Sequence, residues 1–204
     1  MKVLLINGSP HKSGNTFLAL KEAAQELEKN GIETEIVYVG TKPVRGCIAC
    51  STCKNTGTDR CVFGDDICNE VSVKMAVSDG LIVGSPVYYG QPNGTVLALV
   101  QRMLYSNGAA FNGKPAACVA VCRRGGATAA LQTLNMPFQI MNMPIVTSQY
   151  WNIVYGRQEG EAALDAEGMQ TMRSLAKNMA YLLKATEGKQ KPEYEARQAM
   201  HFIR

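Results

Sequence analysis

The sequence predicts a doubly wound α/β fold, in which a parallel sheet carries helices on both faces. Short runs rich in valine, isoleucine and leucine alternate along the chain with longer stretches that have helical spacing. The short runs are nearly continuously apolar, as strands are when both of their faces are buried. Parallel neighbours are joined by right-handed crossovers, which cover both faces of the sheet with helices. A length of 204 residues, of which 46% are hydrophobic, suits one well-buried domain.

Five segments are predicted to be strands, and helices are predicted between them. The strand segments are Lys2–Asn7, Glu33–Tyr38, Gly80–Ser85, Ala116–Cys122 and Pro144–Gln149. Apolar residues at three- and four-residue steps predict helices after the first and third strands and near the end of the chain. These residues are Phe17, Leu20, Ala24 and Leu27, then Val96, Val100, Met103 and Leu104, then Met172, Leu175, Met179 and Leu182. A further helix, kinked by Pro137, is predicted over 127–141.

The domain is expected to occupy residues 1–185. Residues 186–204 turn polar and charged, so they are expected to form a tail or an arm that packs on another subunit. Sheets of this class bind ligands outside the carboxyl ends of their strands. The loops that follow the strands are therefore the places to look for a site.

Composition and charge exclude several classes of protein. The apolar run at the N-terminus is too short to span a membrane, and no signal-peptide cleavage pattern follows it. The protein is therefore expected in the cytoplasm, where its seven cysteines would be thiols or metal ligands. The net charge is +4 and the basic residues are scattered, so neither a nucleic-acid nor a membrane partner is expected. The same charge balance disfavours a small acidic electron carrier that docks on basic partners.

A loop rich in glycine and hydroxyl residues follows the first strand and opens the first helix. It reads Gly8-Ser9-Pro10-His11-Lys12-Ser13-Gly14-Asn15-Thr16. Backbone N–H groups, side-chain oxygens and the positive end of the helix dipole would converge there on a phosphate. The alternative is a capped turn, in which Ser13 or Asn15 only satisfies the helix start. The loop lacks the motifs of a triphosphate loop and of a dinucleotide site, so a terminal monophosphate fits better than ATP or NAD.

Two further loops lie at the same edge of the predicted sheet. The loop Ser85–Gly94 has proline and glycine at both ends and two adjacent tyrosines, which offer flat faces to a planar heterocycle or pack in a structural turn. The loop Cys122–Thr128 contains two arginines and two glycines before a helix. Arg123 or Arg124 would stabilise negative charge on a reduced flavin, meet the 2′-phosphate of NADPH, or lie in solvent.

Together the three loops resemble those of the NADPH-dependent FMN reductase branch of the flavodoxin-like superfamily, over about residues 1–183. The resemblance implies the strand order 2-1-3-4-5, FMN as cofactor, and a homodimer or higher homo-oligomer. It assigns the FMN phosphate to the first loop and the isoalloxazine ring to the other two. The residues concerned are Ser9, His11, Lys12, Ser13, Gly14, Asn15 and Thr16, then Pro86, Val87, Tyr88, Tyr89 and Gly90, then Arg124, Gly125 and Gly126. Trp151 would cover the site or lie at a subunit contact.

A cluster of cysteines follows the second predicted strand. Cys47, Cys50, Cys53 and Cys61 have the spacing C-x2-C-x2-C-x7-C, and four such thiolates are what a [4Fe-4S] cluster requires. The spacing resembles the compact motif of iron–sulfur flavoproteins, which are similar to the same reductase family. A structural zinc site, redox-active thiols, or a loop of free cysteines are the alternatives. The other three cysteines, Cys68, Cys118 and Cys122, are expected in the core.

The resemblance implies an oxidoreductase that moves electrons from NADH or NADPH through FMN to an acceptor. The acceptor would be a quinone, a flavin, a nitro or azo compound, or, if the cluster is present, a protein such as ferredoxin. No side chain is expected to act as a catalytic acid or base, because the chemistry belongs to the flavin. Two other classes remain open: a flavodoxin-like electron carrier without turnover of its own, and a structural metal-binding module.

Overall fold

A computed structural model describes residues 1–196 and Gln198. Five strands run parallel in one sheet, and a short sixth strand pairs antiparallel with the third. The strands are β1 (Lys2–Asn7), β2 (Glu33–Tyr38), β3 (Gly80–Tyr88), β4 (Gln91–Pro92), β5 (Ala116–Cys122) and β6 (Ile153–Tyr155). The spatial order is β2-β1-β3-β5-β6, so the predicted flavodoxin-like order of the parallel strands is confirmed, with β4 as an added hairpin arm.

Six α-helices and two 3₁₀ turns connect the strands in the described residues. The helices are α1 (Asn15–Lys29), α2 (Thr52–Asn55), α3 (Cys68–Ala76), α4 (Gly94–Asn107), α5 (Ala127–Ile140) and α6 (Ala166–Thr186). The 3₁₀ turns are Gly108–Phe111 and Glu161–Leu164. Pro137 lies inside α5, which continues to Ile140. The predicted helices are therefore present at the predicted places.

The position of the last parallel strand was predicted wrongly. Only Ile145 of the segment Pro144–Gln149 makes a bridge, to Ala116, and the edge strand β6 begins at Ile153. The N–H of Val146 donates to the carbonyl of Ala116 at 2.8 Å, but the pairing with β5 does not continue beyond this point. The chain loops out through a turn held by Ser148, whose hydroxyl donates to the Tyr150 carbonyl at 2.6 Å, before pairing resumes. Trp151 consequently precedes the edge strand rather than following it.

Two hydrophobic layers enclose the sheet. Alternate residues of the central strands face opposite layers: Leu4 packs with α3, α4 and α5, whereas Val3 packs with α1 and α6. Cys68, Cys118 and Cys122 are buried in the core, as predicted. Desolvation raises the pKa of the Cys68 thiol to about 12, so this thiol is inert at neutral pH.

The segment after α6 has no helix or strand as far as the structure describes it. It runs back toward the amino edge of the sheet, where the Lys191 ammonium donates to the Asn112 carbonyl at 2.7 Å. The remainder of the predicted arm, Arg197 and 199–204, lies outside the described residues. Within the described part of the chain, no helix has both the length and the apolar composition that crossing a membrane requires.

Candidate functional site

A cavity of about 420 Å³ opens at the carboxyl ends of β1, β3, β5 and β6. Its walls come from four loops. The lining residues are Ser9, His11, Gly14, Asn15 and Thr16, then Pro86, Val87 and Tyr88, then Val121, Cys122 and Arg123, then Gly156, Arg157, Gln158 and Glu159. Apart from Val121, which lies in β5, the first three groups belong to the loops that the sequence singled out, and the fourth follows the displaced edge strand.

The first loop is preorganised by hydrogen bonds within itself. The buried side chain of Asn7 donates to the Lys12 carbonyl at 3.1 Å and accepts from the Ser9 N–H at 3.1 Å. The Ser9 hydroxyl in turn accepts from the His11 N–H at 3.1 Å. Helix α1 then starts after Gly14, and no side chain caps its first N–H groups. Since Gly14, Asn15 and Thr16 line the cavity, the positive end of the helix dipole faces it. This geometry favours an anion site over the capped-turn alternative.

Asn15 lines the cavity, and its side chain also holds the fourth loop. Its amide donates to the Gln158 carbonyl at 2.8 Å and accepts from the Ala162 N–H at 3.1 Å, so both ends of the side chain hold the fourth loop. A Cβ on Gly156 would lie 2.8 Å from the Asn15 amide nitrogen and from the Ala162 nitrogen, so only glycine permits this approach. Asn15 therefore clamps the fourth loop against the start of α1.

The fourth loop was missed by the sequence analysis. Its backbone N–H groups at Arg157 and Gln158 donate to the Glu161 carboxylate at 2.6 Å and 2.9 Å. These bonds lower the pKa of that carboxyl group. A glycine directly after the last strand was the available signal. It was overlooked because that strand was placed too early in the chain.

The second loop is a tight hairpin between β3 and β4. Tyr88 pairs with Gln91, and the two turn residues, Tyr89 and Gly90, have φ of 51° and 76°. These angles are typical of a type I′ turn, and for a tyrosine the left-handed conformation costs about 1–2 kcal/mol. Tyr88 is 44% exposed and lines the cavity, and desolvation raises the pKa of its phenol. Tyr89 points into solvent.

The third loop lies between two neighbouring cavities. A Cβ on Gly126 would lie 2.7 Å from the Gly90 Cα, so the second and third loops touch through their backbones. Arg123 lines the first cavity, whereas Arg124, Gly125 and Gly126 line a neighbouring cavity of about 450 Å³. The other predicted site residues that do not line the first cavity are Lys12, Ser13, Tyr89 and Gly90.

Exposed aromatic side chains border the second cavity. Tyr150 and Trp151 are 60% and 56% exposed, and their ring centroids lie 5.1 Å apart. Tyr155, at the end of β6, completes this wall. Large exposed aromatic residues beside a cavity are typical of surfaces that bind a planar ligand or a second protein.

The four clustered cysteines meet around a small cavity of about 20 Å³ beside α4. Cys47 and Cys50 are exposed, Cys61 is half-buried and Cys53 is buried. Hydrogen bonds from Thr52 lower the pKa of the Cys50 thiol, which favours the thiolate form that binds metals. The loop is tied to α4 by Arg102, whose guanidinium forms a buried ion pair with Asp66.

This cysteine loop has the donor set of an iron–sulfur cluster. In the described chain no three cysteine, histidine or acidic side chains are close enough to hold one metal ion. In a four-iron cluster each cysteine binds a different iron, so the sulfurs stand farther apart than they do around a single zinc ion. Cys47, Cys50, Cys53 and Cys61 line one cavity and supply the four thiols that such a cluster requires.

Relatives were found by sequence. Residues 1–158 match the family model of NADPH-dependent FMN reductase. An iron–sulfur flavoprotein of Methanocaldococcus jannaschii is 35% identical over 192 residues, which cover 90% of this chain and 98% of that protein. An iron–sulfur flavoprotein of Methanosarcina thermophila is 32% identical over 189 residues, which cover 90% of this chain and 95% of that protein.

Solved structures share the fold at low sequence identity. RosB, with a bound 8-demethyl-8-formylriboflavin-5′-phosphate, has a TM-score of 0.70 at 14% identity and covers 99% of this chain and 92% of its own. An apo NADH:FMN oxidoreductase has a TM-score of 0.65 at 17% identity and covers 89% of each chain. These likenesses show the fold alone. The sequence matches establish that the chain, which has a flavodoxin-like fold, belongs to the NADPH-dependent FMN reductase family and is an FMN-dependent oxidoreductase.

Proposed function

We propose that the protein holds FMN in the 420 Å³ cavity and uses it to pass electrons from NADH or NADPH to an acceptor. The observation that carries this proposal is the uncapped start of α1, which faces one end of a cavity of ligand size. FMN ends in a monophosphate, and a helix N-terminus with free N–H groups is a ready-made site for such an anion.

The first loop would bind the phosphate. Ser9 is buried, and its hydroxyl fixes the turn at His11, so the loop needs little rearrangement when the anion arrives. The N–H groups at Asn15 and Thr16 lie in the first turn of α1 and would donate to phosphate oxygens. A preorganised loop loses less conformational entropy on binding, which favours tight retention of the cofactor.

The other loops would hold the ring. Pro86, Val87 and Tyr88 supply an apolar and aromatic wall that excludes water. Arg123 and Arg157 place two positive charges at the same cavity, where they would stabilise negative charge on the ring. FMN, when bound, supplies the redox chemistry itself, so the protein needs no catalytic acid or base.

The cysteine loop would hold a [4Fe-4S] cluster through Cys47, Cys50, Cys53 and Cys61. Such a cluster carries single electrons, so the acceptor of a loaded protein would be another protein. A protein without the cluster would reduce a quinone, a flavin, or a nitro or azo compound. All seven cysteines are free thiols, which accords with our placing the protein in the cytoplasm.

A homodimer would cover the aromatic wall of the second cavity. Tyr150 and Trp151 are more than half exposed in the single chain, and interfaces favour such residues. Light scattering of the FMN-loaded protein tests this assembly. A monomer at micromolar concentration would contradict it.

The proposed activity is tested with anaerobically purified protein. We expect FMN fluorescence to be quenched on titration, and steady oxidation of NADH or NADPH when a quinone or ferricyanide is supplied. Failure to bind FMN contradicts the whole proposal. Tight binding without turnover with any acceptor would instead indicate the electron-carrier function.

Asn15→Ala is expected to weaken FMN binding about tenfold. The variant frees the fourth loop, because the bonds to Gln158 and Ala162 are both lost, and one such hydrogen bond is worth about 1 kcal/mol. Isothermal titration with FMN measures the change. Asn178→Ala is the matched control, since its exposed amide donates to the carbonyl of Thr147, and neither residue lines the cavity. Equal affinities in the two variants would contradict the clamp.

A further inference from the structure

Arg102 is a fully buried cation in the middle of α4. Its side chain is 0% exposed, whereas arginine is almost never fully buried without a partner. It points from the helix into the loop that carries the four cysteines and lines their cavity. Neither the FMN site nor the hydrophobic core explains a charged residue at this position.

All five N–H donors of Arg102 are used, and two of them go to one sulfur. Nε and Nη2 donate to the Cys61 Sγ at 3.3 Å and 3.2 Å. The other donors reach the Arg45 carbonyl at 3.2 Å, the Phe63 carbonyl at 3.3 Å and the Asp66 carboxylate. The guanidinium also lies 5.3 Å from the centroid of the Phe63 ring. The planar fork of arginine is thus fixed on every side against Cys61.

A guanidinium held in this position would also affect the reduction potential of a cluster bound to Cys61. Hydrogen bonds to the sulfur ligands and the net charge around them set the reduction potential of an iron–sulfur cluster. A donated bond and a nearby positive charge stabilise the reduced cluster, because it carries one more negative charge than the oxidised form. The effect is strong in a buried site, where water does not screen the charge.

We propose that Arg102 is a positioning residue that donates two hydrogen bonds to the Cys61 sulfur of a bound [4Fe-4S] cluster and thereby raises the cluster's reduction potential. This inference rests on the cluster proposed above. Arg102 touches the ligand sulfur and not the iron, and the paired Asp66 holds the guanidinium in place.

The first test is a potentiometric titration of the anaerobically reconstituted protein. Dithionite supplies one electron per cluster, and the electron paramagnetic resonance signal of the reduced cluster is followed. Arg102→Lys keeps the charge but loses the two-donor fork, and the double variant Arg102→Gln with Asp66→Asn removes the fork together with both charges, so that no buried charge is left unpaired. Each is expected to shift the equilibrium at least tenfold toward the oxidised cluster, which corresponds to about 59 mV for one electron.

Arg45→Lys is the matched control. Arg45 belongs to the same loop and its guanidinium stacks on the same ring, 4.5 Å from the Phe63 centroid, but it pairs with the exposed Asp65 and not with a sulfur. Its substitution is expected to leave the midpoint potential within a twofold change of the equilibrium. A potential that is equal in the wild type and in both Arg102 variants would overturn the proposal.

The second test needs no loaded Arg102 variant. Wild-type protein carrying ¹⁵N-labelled arginine is reconstituted, reduced and examined by pulsed electron paramagnetic resonance. We expect a ¹⁵N coupling to the cluster that persists in Arg45→Lys. Cluster uptake without this coupling overturns the role of Arg102 alone. Wild-type protein that takes up no iron overturns the cluster as well, and FMN binding remains as the readout of the proposed flavin site.

Discussion

Replacement of Asp66 by alanine is expected to lower the free energy of unfolding by about 3–5 kcal/mol. The Asp66 carboxylate is 4% exposed and faces the fully buried guanidinium of Arg102, so the variant leaves a positive charge in the protein interior without its partner. The loss falls on the stability of the whole domain because Arg102 lies on the core helix α4. Urea denaturation of the FMN-loaded protein, followed by circular dichroism, measures it.

Asp65→Ala is the control for this prediction. Asp65 precedes Asp66 and also pairs with an arginine, but the side chains of Asp65 and Arg45 are 62% and 54% exposed. An ion pair in solvent contributes about 0–1 kcal/mol, so we expect little change in the denaturation midpoint. Similar losses in the two variants would mean that burial does not distinguish the two ion pairs.

Gly8→Ala is expected to lower the free energy of unfolding by about 1–3 kcal/mol and to weaken FMN binding at least tenfold. A Cβ at this position would lie 2.6–2.8 Å from all three side-chain carbons of Val96, a buried residue of α4. The Gly8 carbonyl also accepts a hydrogen bond from the Asn93 side chain at 2.9 Å. A methyl group at position 8 would therefore push the first loop away from the start of α4 and strain this bond. Denaturation and fluorescence titration with FMN measure the two effects.

Gly94→Ala, at the start of the helix that Gly8 contacts, provides the comparison. A Cβ on Gly94 meets nothing within 4 Å, and alanine is a better helix former than glycine. We therefore expect unchanged FMN affinity and equal or slightly higher stability. If Gly8→Ala binds FMN as tightly as the wild type does, FMN binding does not require the close approach of the first loop to α4.

The features that could be predicted are those that local sequence encodes. Strands β1, β2 and β5 were predicted with their observed bounds. The buried strands β1 and β5 are nearly continuous apolar runs between polar connections, whereas the edge strand β2 is more polar and was recognised by its short apolar run after the Asn30-Gly31 helix end. The loop after β1 was also recognisable, since a strand, a glycine-rich turn and a helix follow one another within the segment 2–29.

The features that could not be predicted depend on contacts between distant parts of the chain. The edge strand was misplaced because Pro144–Gln149 and Ile153–Tyr155 are both short and apolar, and only pairing with β5 selects the second. The fourth loop depends on Asn15, 143 residues away from Gln158. Nothing near Arg102 in the sequence indicates Cys61, which is 41 residues away.

The sequence by itself determined the order of the elements, the parallel sheet, the glycine-rich loop after β1 and the four-cysteine loop, because each is encoded in neighbouring residues. Only the tertiary structure decided that Asn15 clamps the fourth loop, that Arg123 and Arg124 face separate cavities, and that Arg102 is fixed against Cys61. The physical reason is that hydrogen bonding and desolvation act over a few ångströms in space, whatever the separation along the chain.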